Sequence, residues 1–181
     1  MELQFYKRDI ISYLFNSGIM KPTSKTDKNS TPFVINYQEL NTGAGLNAIG
    51  RALSESLHDL YDKKGINVIT CDDATIMPIV VSATLLFQES FHKEIRFIDA
   101  RKKTEKELQK NLKKGDKIVV ISDRAASYKL FSRLRKLTES IKDASVLGHY
   151  TIIGSQGGKL ALITLKDIEK YYREKEERFG T

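Results

Sequence analysis

Apolar residues recur along the chain with two spacings, and the order of these spacings predicts the fold. Helical spacing occurs over residues 5–16, 41–60, 78–87, 125–142 and in the charged tail, 166–179. Alternating or continuous apolar runs predict strands at PFVINY, NVIT, EIRFIDA, IVVIS, SVLGHYTII and KLALITL. Because strands and helices alternate, we expect an α/β fold with a central, mainly parallel sheet flanked by helices.

The pattern gives no reason to place a domain boundary. We therefore expect a single domain over residues 1–181, with the basic segment 101–117 and the charged C-terminal helix 166–179 as appendages. The basic segment contains few apolar positions, which is typical of a charged loop or a frayed helix.

Ligands of parallel sheets bind at the carboxyl ends of the strands, so three loops are candidate sites. In the loop after IVVIS, Asp123 would accept hydrogen bonds from ribose hydroxyls, and Ser127 would donate one to a phosphate. A helix that begins there would offer free N–H groups and its positive dipole end to the anion. The simpler alternative is that one of these two residues only caps the helix.

The loop after NVIT contains two adjacent carboxylates. Asp72 and Asp73 are candidate ligands of Mg²⁺ through water, although such a pair more often caps the helix that follows, here near Pro78.

The loop after FIDA opens the basic segment. Arg101, Lys102 and Lys106 are candidates for binding a pyrophosphate or a nucleic-acid backbone, and a solvated charged loop is the alternative. The helix after Asp123 adds a second basic feature, because Lys129, Arg133 and Lys136 fall on one face, away from its leucines.

Net charge supports anionic partners without choosing among them. The chain has 30 Lys and Arg against 23 Asp and Glu, a net charge of +7. Nucleotides, phosphorylated sugars and nucleic acid all fit, as does a merely solvated basic surface. Cys71 is the only cysteine and the three histidines are scattered, which excludes an intrachain disulfide and a cysteine zinc cluster. Without a 20-residue apolar window or a signal-like start, we expect a cytoplasmic protein with no membrane partner.

These segments, in this order, resemble the orotate phosphoribosyltransferase family over roughly residues 10–160. TSKTDKNSTPFVINY resembles its TLKSGRKSPYFxN element, and FIDARKKTEKE resembles its strand followed by VRKxxKxHG. KKGDKIVVISDRAASYK is similar to GxxVLVVDDVITTGxS, the phosphoribosyl pyrophosphate motif. The resemblance implies a type I phosphoribosyltransferase fold, a homodimer, Mg²⁺, and a role in pyrimidine biosynthesis.

The resemblance also implies roles for particular residues. It places Lys25 at a substrate-contacting, catalytic lysine and Asp123 at the acidic residue that holds the ribose. It places Arg101, Lys102 and, one position late, Lys106 at the residues that bind pyrophosphate. Ser127 takes the position of a threonine in the phosphate turn.

Several family positions carry other residues in this chain. Ser122 replaces an acidic residue, Ala126 a threonine, Tyr128 a glycine, Thr75 a lysine and Ser155 an arginine. We therefore predict a divergent member with weak or no phosphoribosyl transfer and a retained nucleotide-binding, phosphate-binding or regulatory role. An active Mg²⁺-dependent transferase acting on orotate or another base, and a nucleic-acid-binding module, stay open as alternatives.

Overall fold

The computed structural model describes residues 5–22, 33–36, 39–40, 42–101, 103–123, 128–154 and 161–179. Its helices are α1 (Phe5–Asn16), α2 (Gly43–Lys64), α3 (Met77–Phe91), α4 (Glu105–Asn111), α5 (Tyr128–Glu139) and α6 (Leu165–Phe179). Its strands are β1 (Met20–Pro22), β2 (Phe33–Ile35), β3 (Val68–Cys71), β4 (Arg96–Phe97), β5 (Lys117–Ser122), β6 (Ser145–Gly154) and β7 (Ala161–Thr164).

Five of these strands form one parallel sheet, in the order β4-β3-β5-β6-β7. The predicted central parallel sheet is therefore confirmed. PFVINY contributes β2 to a separate antiparallel pair with β1, and the predicted strand EIRFIDA shortens to the two residues of β4.

Apolar side chains cover both faces of the sheet. On one face, Ile69 and Val119 pack into a core with residues of α1, α2, α3 and α6. On the other face, Val120 packs with Leu108 of α4 and Leu134 of α5. This two-sided burial explains the continuous apolar runs of β3 and β5, because neither strand has a face exposed to water.

The basic segment 101–117 contains a short, well-capped helix. The side chain of Thr104 accepts a hydrogen bond from the Glu107 N–H while the Glu107 carboxylate accepts one from the Thr104 N–H, a reciprocal capping box. Leu108 is fully buried against the sheet and Leu112 is buried as well. The prediction of a charged loop or a frayed helix is thus corrected, because α4 is a helix held by its cap and by buried leucines.

The C-terminal helix also packs on the body of the chain. Ile168 is buried in the core that α1 shares, and Lys7 of α1 donates a 2.8 Å hydrogen bond to Asp167. Phe15 makes an edge-to-face contact with Tyr172, with ring centroids 4.7 Å apart. Helix α6 is therefore anchored to α1 by apolar, aromatic and charged contacts.

Candidate functional site

The loops after β3 and β5 meet at the carboxyl edge of the sheet. These strands are parallel neighbours in which Cys71 pairs with Ile121, so the residues that follow them lie side by side. Ser122 Oγ donates a 2.6 Å hydrogen bond to Asp72 Oδ2. Two of the predicted candidate loops are thus joined directly by their side chains.

His149 of β6 completes this contact. Its Nε2 hydrogen-bonds to Ser122 Oγ. A hydroxyl has a single proton, and since Ser122 donates it to Asp72, the imidazole must donate its own Nε2–H to Ser122. Burial raises the pKa of Asp72 above its ordinary value, against the opposing effect of the Ser122 hydrogen bond. Burial lowers the pKa of His149, against the opposing effect of the Asp72 charge.

A serine, a histidine and an aspartate in contact suggest a hydrolase triad, but the order is different here. In a triad the histidine lies between the nucleophile and the carboxylate. Here Ser122 lies in the middle and its accessible surface is 0%. No substrate can reach its hydroxyl, so we assign this cluster a positioning role: it fixes Asp72.

Asp73 forms hydrogen bonds within its own loop. Its Oδ1 accepts hydrogen bonds of 2.7 Å from both the N–H and the hydroxyl of Thr75, and these bonds lower the pKa of Asp73. Helix α3 starts after Ile76 without any side-chain cap and with Pro78 in its first turn. The alternative that Asp72 and Asp73 cap helix α3 is therefore wrong, because Asp73 instead closes a turn that precedes the helix.

Arg101 follows β4 and is held by a carboxylate of its own loop. Its Nε and Nη2 atoms donate to the two oxygens of Asp99, both at 2.9 Å. This fork geometry, with the guanidinium donating directly, lowers the pKa of Asp99. Only 14% of the Arg101 side chain is exposed, so the guanidinium is fixed in direction.

A cleft of about 560 Å³ opens beside these loops. Its lining comprises Asp72, Arg101, Glu105, Lys129, Leu130, Ser132, Arg133 and Lys136. The basic face predicted for α5 is confirmed as one surface, because its three cations line this cleft together. The cleft brings two sequence-predicted site residues, Asp72 and Arg101, to the same space.

The other predicted site residues fall into two groups. Lys106 is exposed on α4 and does not line the cleft, and half-buried Asp123 does not line it either, although its carbonyl accepts a hydrogen bond from Ile153. Lys25, Lys102 and Ser127 lie outside the described residues.

Sequence reasoning missed His149 and Asp99. Asp99 had a signal in the sequence, because it closely follows the predicted strand that contains β4. His149 had none, because the pairing of β5 with β6 shifts register between Ile118 and Val119. Within the described chain, no group of three or more potential ligand residues could hold a metal ion. Among the same residues, no helix is both long and apolar enough to cross a membrane.

Sequence comparison finds similar proteins that are named orotate phosphoribosyltransferase. The chain is 25% identical over 182 residues to the orotate phosphoribosyltransferase of Lachnoclostridium phytofermentans, covering 94% of this chain and 79% of that protein. The corresponding enzyme of Agathobacter rectalis is 22% identical over 202 residues, with 96% and 89% coverage. No family model matches the sequence.

Solved structures share the fold. The orotate phosphoribosyltransferase of Francisella tularensis superposes with a TM-score of 0.65 at 17% identity, over 91% of this chain and 86% of that chain. The chain is an orotate phosphoribosyltransferase-like protein of the type I phosphoribosyltransferase fold. It also matches UMP synthase from Leishmania donovani, with a TM-score of 0.61 at 17% identity, and spans 94% of its own length but 39% of that longer chain.

Within this fold the cleft lies between the residues that follow β3 and β4 and the helix α5. The last residue of β5, Ser122, lies next to the cleft through its bond to Asp72, and its second bond ties it to His149 of β6.

Proposed function

We propose that this chain binds a phosphorylated sugar or a nucleotide at the carboxyl edge of its sheet and transfers phosphoribosyl groups weakly or not at all. The observation that carries the proposal is Ser122. It occupies the position of an acidic residue in the family motif, and its neutral hydroxyl is fully buried between Asp72 and His149. That position therefore adds no negative charge to the cleft.

To catalyse phosphoribosyl transfer, a protein must stabilise two charges that develop in the transition state. Positive charge develops on the ribose in the transition state, and negative charge develops on the leaving pyrophosphate. Of the two acidic motif positions, only Asp123 could face the ribose. Loss of one preorganised electrostatic contact slows an enzyme by about 10²–10³, so several losses reduce turnover by many orders of magnitude.

Binding survives such losses better than catalysis does. Lys25, as the substrate-contacting lysine, and Arg101, Lys102, Lys106 and Ser127, as phosphate ligands, remain proposed contacts. Among them the described structure supports Arg101 most, since its guanidinium lines the cleft in a fixed orientation. A phosphate oxygen would compete with Asp99 for its N–H groups.

Mg²⁺ fits this site only as an ion that arrives with a phosphate ligand. Asp73 Oδ1 already accepts two hydrogen bonds from Thr75, and Asp72 Oδ2 accepts one from Ser122. Asp72 Oδ1 has no partner among the described residues. One available carboxylate oxygen suits Mg²⁺, which keeps several waters and binds one or two carboxylates plus phosphates. The ion would neutralise phosphate charge, while Asp72 would orient it.

Calorimetric titration with phosphoribosyl pyrophosphate and Mg²⁺, and separately with orotate and orotidine monophosphate, tests the proposal. We expect saturable binding of a phosphorylated ligand, and we expect Asp72→Asn to weaken it. Asp62→Asn is the control and should leave binding unchanged, because Asp62 lies on the surface of α2 and its carboxylate pairs with Lys93. Failure of every phosphorylated ligand to bind would refute the proposal.

The resemblance also implies a homodimer, and the sequence pattern predicts a cytoplasmic location. We retain both as proposals for sedimentation and fractionation to test. No specific contact favours nucleic acid as the main ligand.

A further inference from the structure

One wall of the cleft is a row of positive side chains on a single helix. Lys129, Arg133 and Lys136 all line the cleft from α5. At 1.5 Å of rise per residue, the row extends for about 10 Å along the helix axis. That length matches a small ligand with a phosphorylated end.

Helix α5, which carries these cations, is anchored to the sheet by buried side chains. Leu130 and Leu134 are buried in the core between α5 and the sheet. Arg133 Nη2 also donates a hydrogen bond to the carbonyl of Ala100, which ties α5 to the loop after β4. The cations therefore stand on a fixed support, which lowers the entropic cost of binding a ligand between them.

Lys129 and Lys136 form no ion pair within 4.0 Å with an acid in the described part of the chain, in contrast to Lys7, which pairs with Asp167. Asp72 and Glu105 line the same cleft, but its basic side chains outnumber them. Like charges four residues apart, such as Lys129 and Arg133, destabilise a helix by about 0.2–0.5 kcal/mol. A bound anion would remove this repulsion.

Arg133 also has a hydrogen-bond donor that is unpaired within the described structure. Its Nε is buried and has no acceptor in the described part of the chain. An unpaired buried donor on a cation is costly, and a phosphate oxygen is a suitable acceptor for it. The wall thus offers charge, and Arg133 carries a donor that no acceptor in the described residues uses.

We propose that α5 provides a diphosphate subsite built from side chains, in which Lys129, Arg133 and Lys136 line the cleft together with Arg101. It binds either inorganic pyrophosphate or the diphosphate end of a nucleotide whose sugar lies towards Asp72. A diphosphate fits because the cleft has two more basic than acidic side chains among its lining residues. The inference rests on the proposed function, since it assigns the phosphate group of that ligand to a particular helix.

The test compares paired variants of the same helix region. Lys129→Gln/Lys136→Gln removes two cations from the wall and keeps most of each side-chain stem. Arg135→Gln/Lys142→Gln removes two exposed cations that do not line the cleft, so the net charge changes equally. Both double variants alter exposed positions and should keep the melting temperature of the parent chain, which circular dichroism checks.

Titration with inorganic pyrophosphate and with a nucleoside diphosphate at constant salt gives the result. We expect the wall variant to lose about tenfold in affinity for both, and the control to stay within about twofold. Equal losses in the two variants, or no binding of either anion by the parent chain, would overturn the subsite. A nucleoside diphosphate that binds more tightly than pyrophosphate identifies the nucleotide as the source of the diphosphate, whereas equal affinities identify pyrophosphate itself.

The proposed function fails separately from the subsite. If the parent chain transfers phosphoribosyl groups at an ordinary rate, the proposal of weak transfer is wrong. The pyrophosphate titration of the wall and control variants still decides the role of α5 in that case.

Discussion

Ser122 Oγ donates a 2.6 Å hydrogen bond to Asp72 Oδ2, and this bond joins the ends of the neighbouring strands β5 and β3. The same hydroxyl accepts from His149 on β6, so three adjacent strands are linked at the edge where the cleft opens. The link fixes the Asp72 carboxylate without exposing the serine. Its energetic and functional consequences can be measured separately.

Replacing Ser122 by alanine should destabilise the fold. The change leaves Asp72 Oδ2 and His149 Nε2 without their shared partner in a poorly hydrated place, which costs about 1–3 kcal/mol. Urea unfolding measures the loss. Ser132→Ala, on the exposed surface of α5, is the control and should stay within about 0.5 kcal/mol of the parent. A Ser122→Ala variant as stable as that control would show that the link contributes nothing to the fold.

His149 should make stability fall on the acid side of neutrality. Burial lowers its pKa below the ordinary value of 6.5. As pH decreases through 6.5, the unfolded chain therefore binds the proton first, and stability is lost until pH passes below the folded pKa.

Urea midpoints between pH 8 and pH 5 test this sign. His149→Gln keeps a hydrogen-bonding group beside Ser122 but does not titrate, so its stability should depend less on pH over this window. His92→Asn is the control, because His92 is exposed and asparagine suits its left-handed φ of 53°. A pH dependence of His149→Gln that equals the parent's would refute the assignment.

Asp99 should limit how strongly Arg101 attracts an anion. Its carboxylate accepts two 2.9 Å hydrogen bonds from the guanidinium. Asp99→Asn removes that charge, and we expect pyrophosphate affinity to rise about threefold because the pair is partly exposed and screened. If affinity falls instead, Asp99 serves the ligand by orienting Arg101.

The cap of α4 should be measurable in hydrogen exchange. Thr104→Ala removes one half of the capping box, at a cost of about 1 kcal/mol. The amide of Leu108, which donates to Thr104 in the first turn, should then exchange faster, while amides of α5 should not change. Fast exchange of Leu108 already in the parent chain would instead support the sequence-based prediction of a frayed segment.

Much of the fold follows from local patterns. The apolar runs of β3 and β5 are unambiguous because both faces of these strands are buried, and the leucines of α5 recur at helical spacing. Helix α4 was harder to predict, since seven residues with a single buried leucine give a weak periodic signal. Its cap and its packing, which are tertiary in part, decide its structure.

The Asp72, Ser122 and His149 contact was beyond sequence reasoning for a geometric reason. The pairing of β5 with β6 shifts register between Ile118 and Val119. A one-residue shift changes which side chains share a face, so the partner of Ser122 on β6 cannot be counted from the sequence. Asp72, by contrast, was predictable because it follows a strand that is recognisable by itself.

The central claim is that this orotate phosphoribosyltransferase-like chain has lost most of its transfer activity and kept its ligand site. The most direct measurement is a steady-state assay of orotidine monophosphate formation from orotate, phosphoribosyl pyrophosphate and Mg²⁺ with the unmodified protein. Our account predicts turnover many orders of magnitude below the usual enzyme median of about 10 per second, in a protein that still binds phosphorylated ligands. Turnover near that median would contradict it.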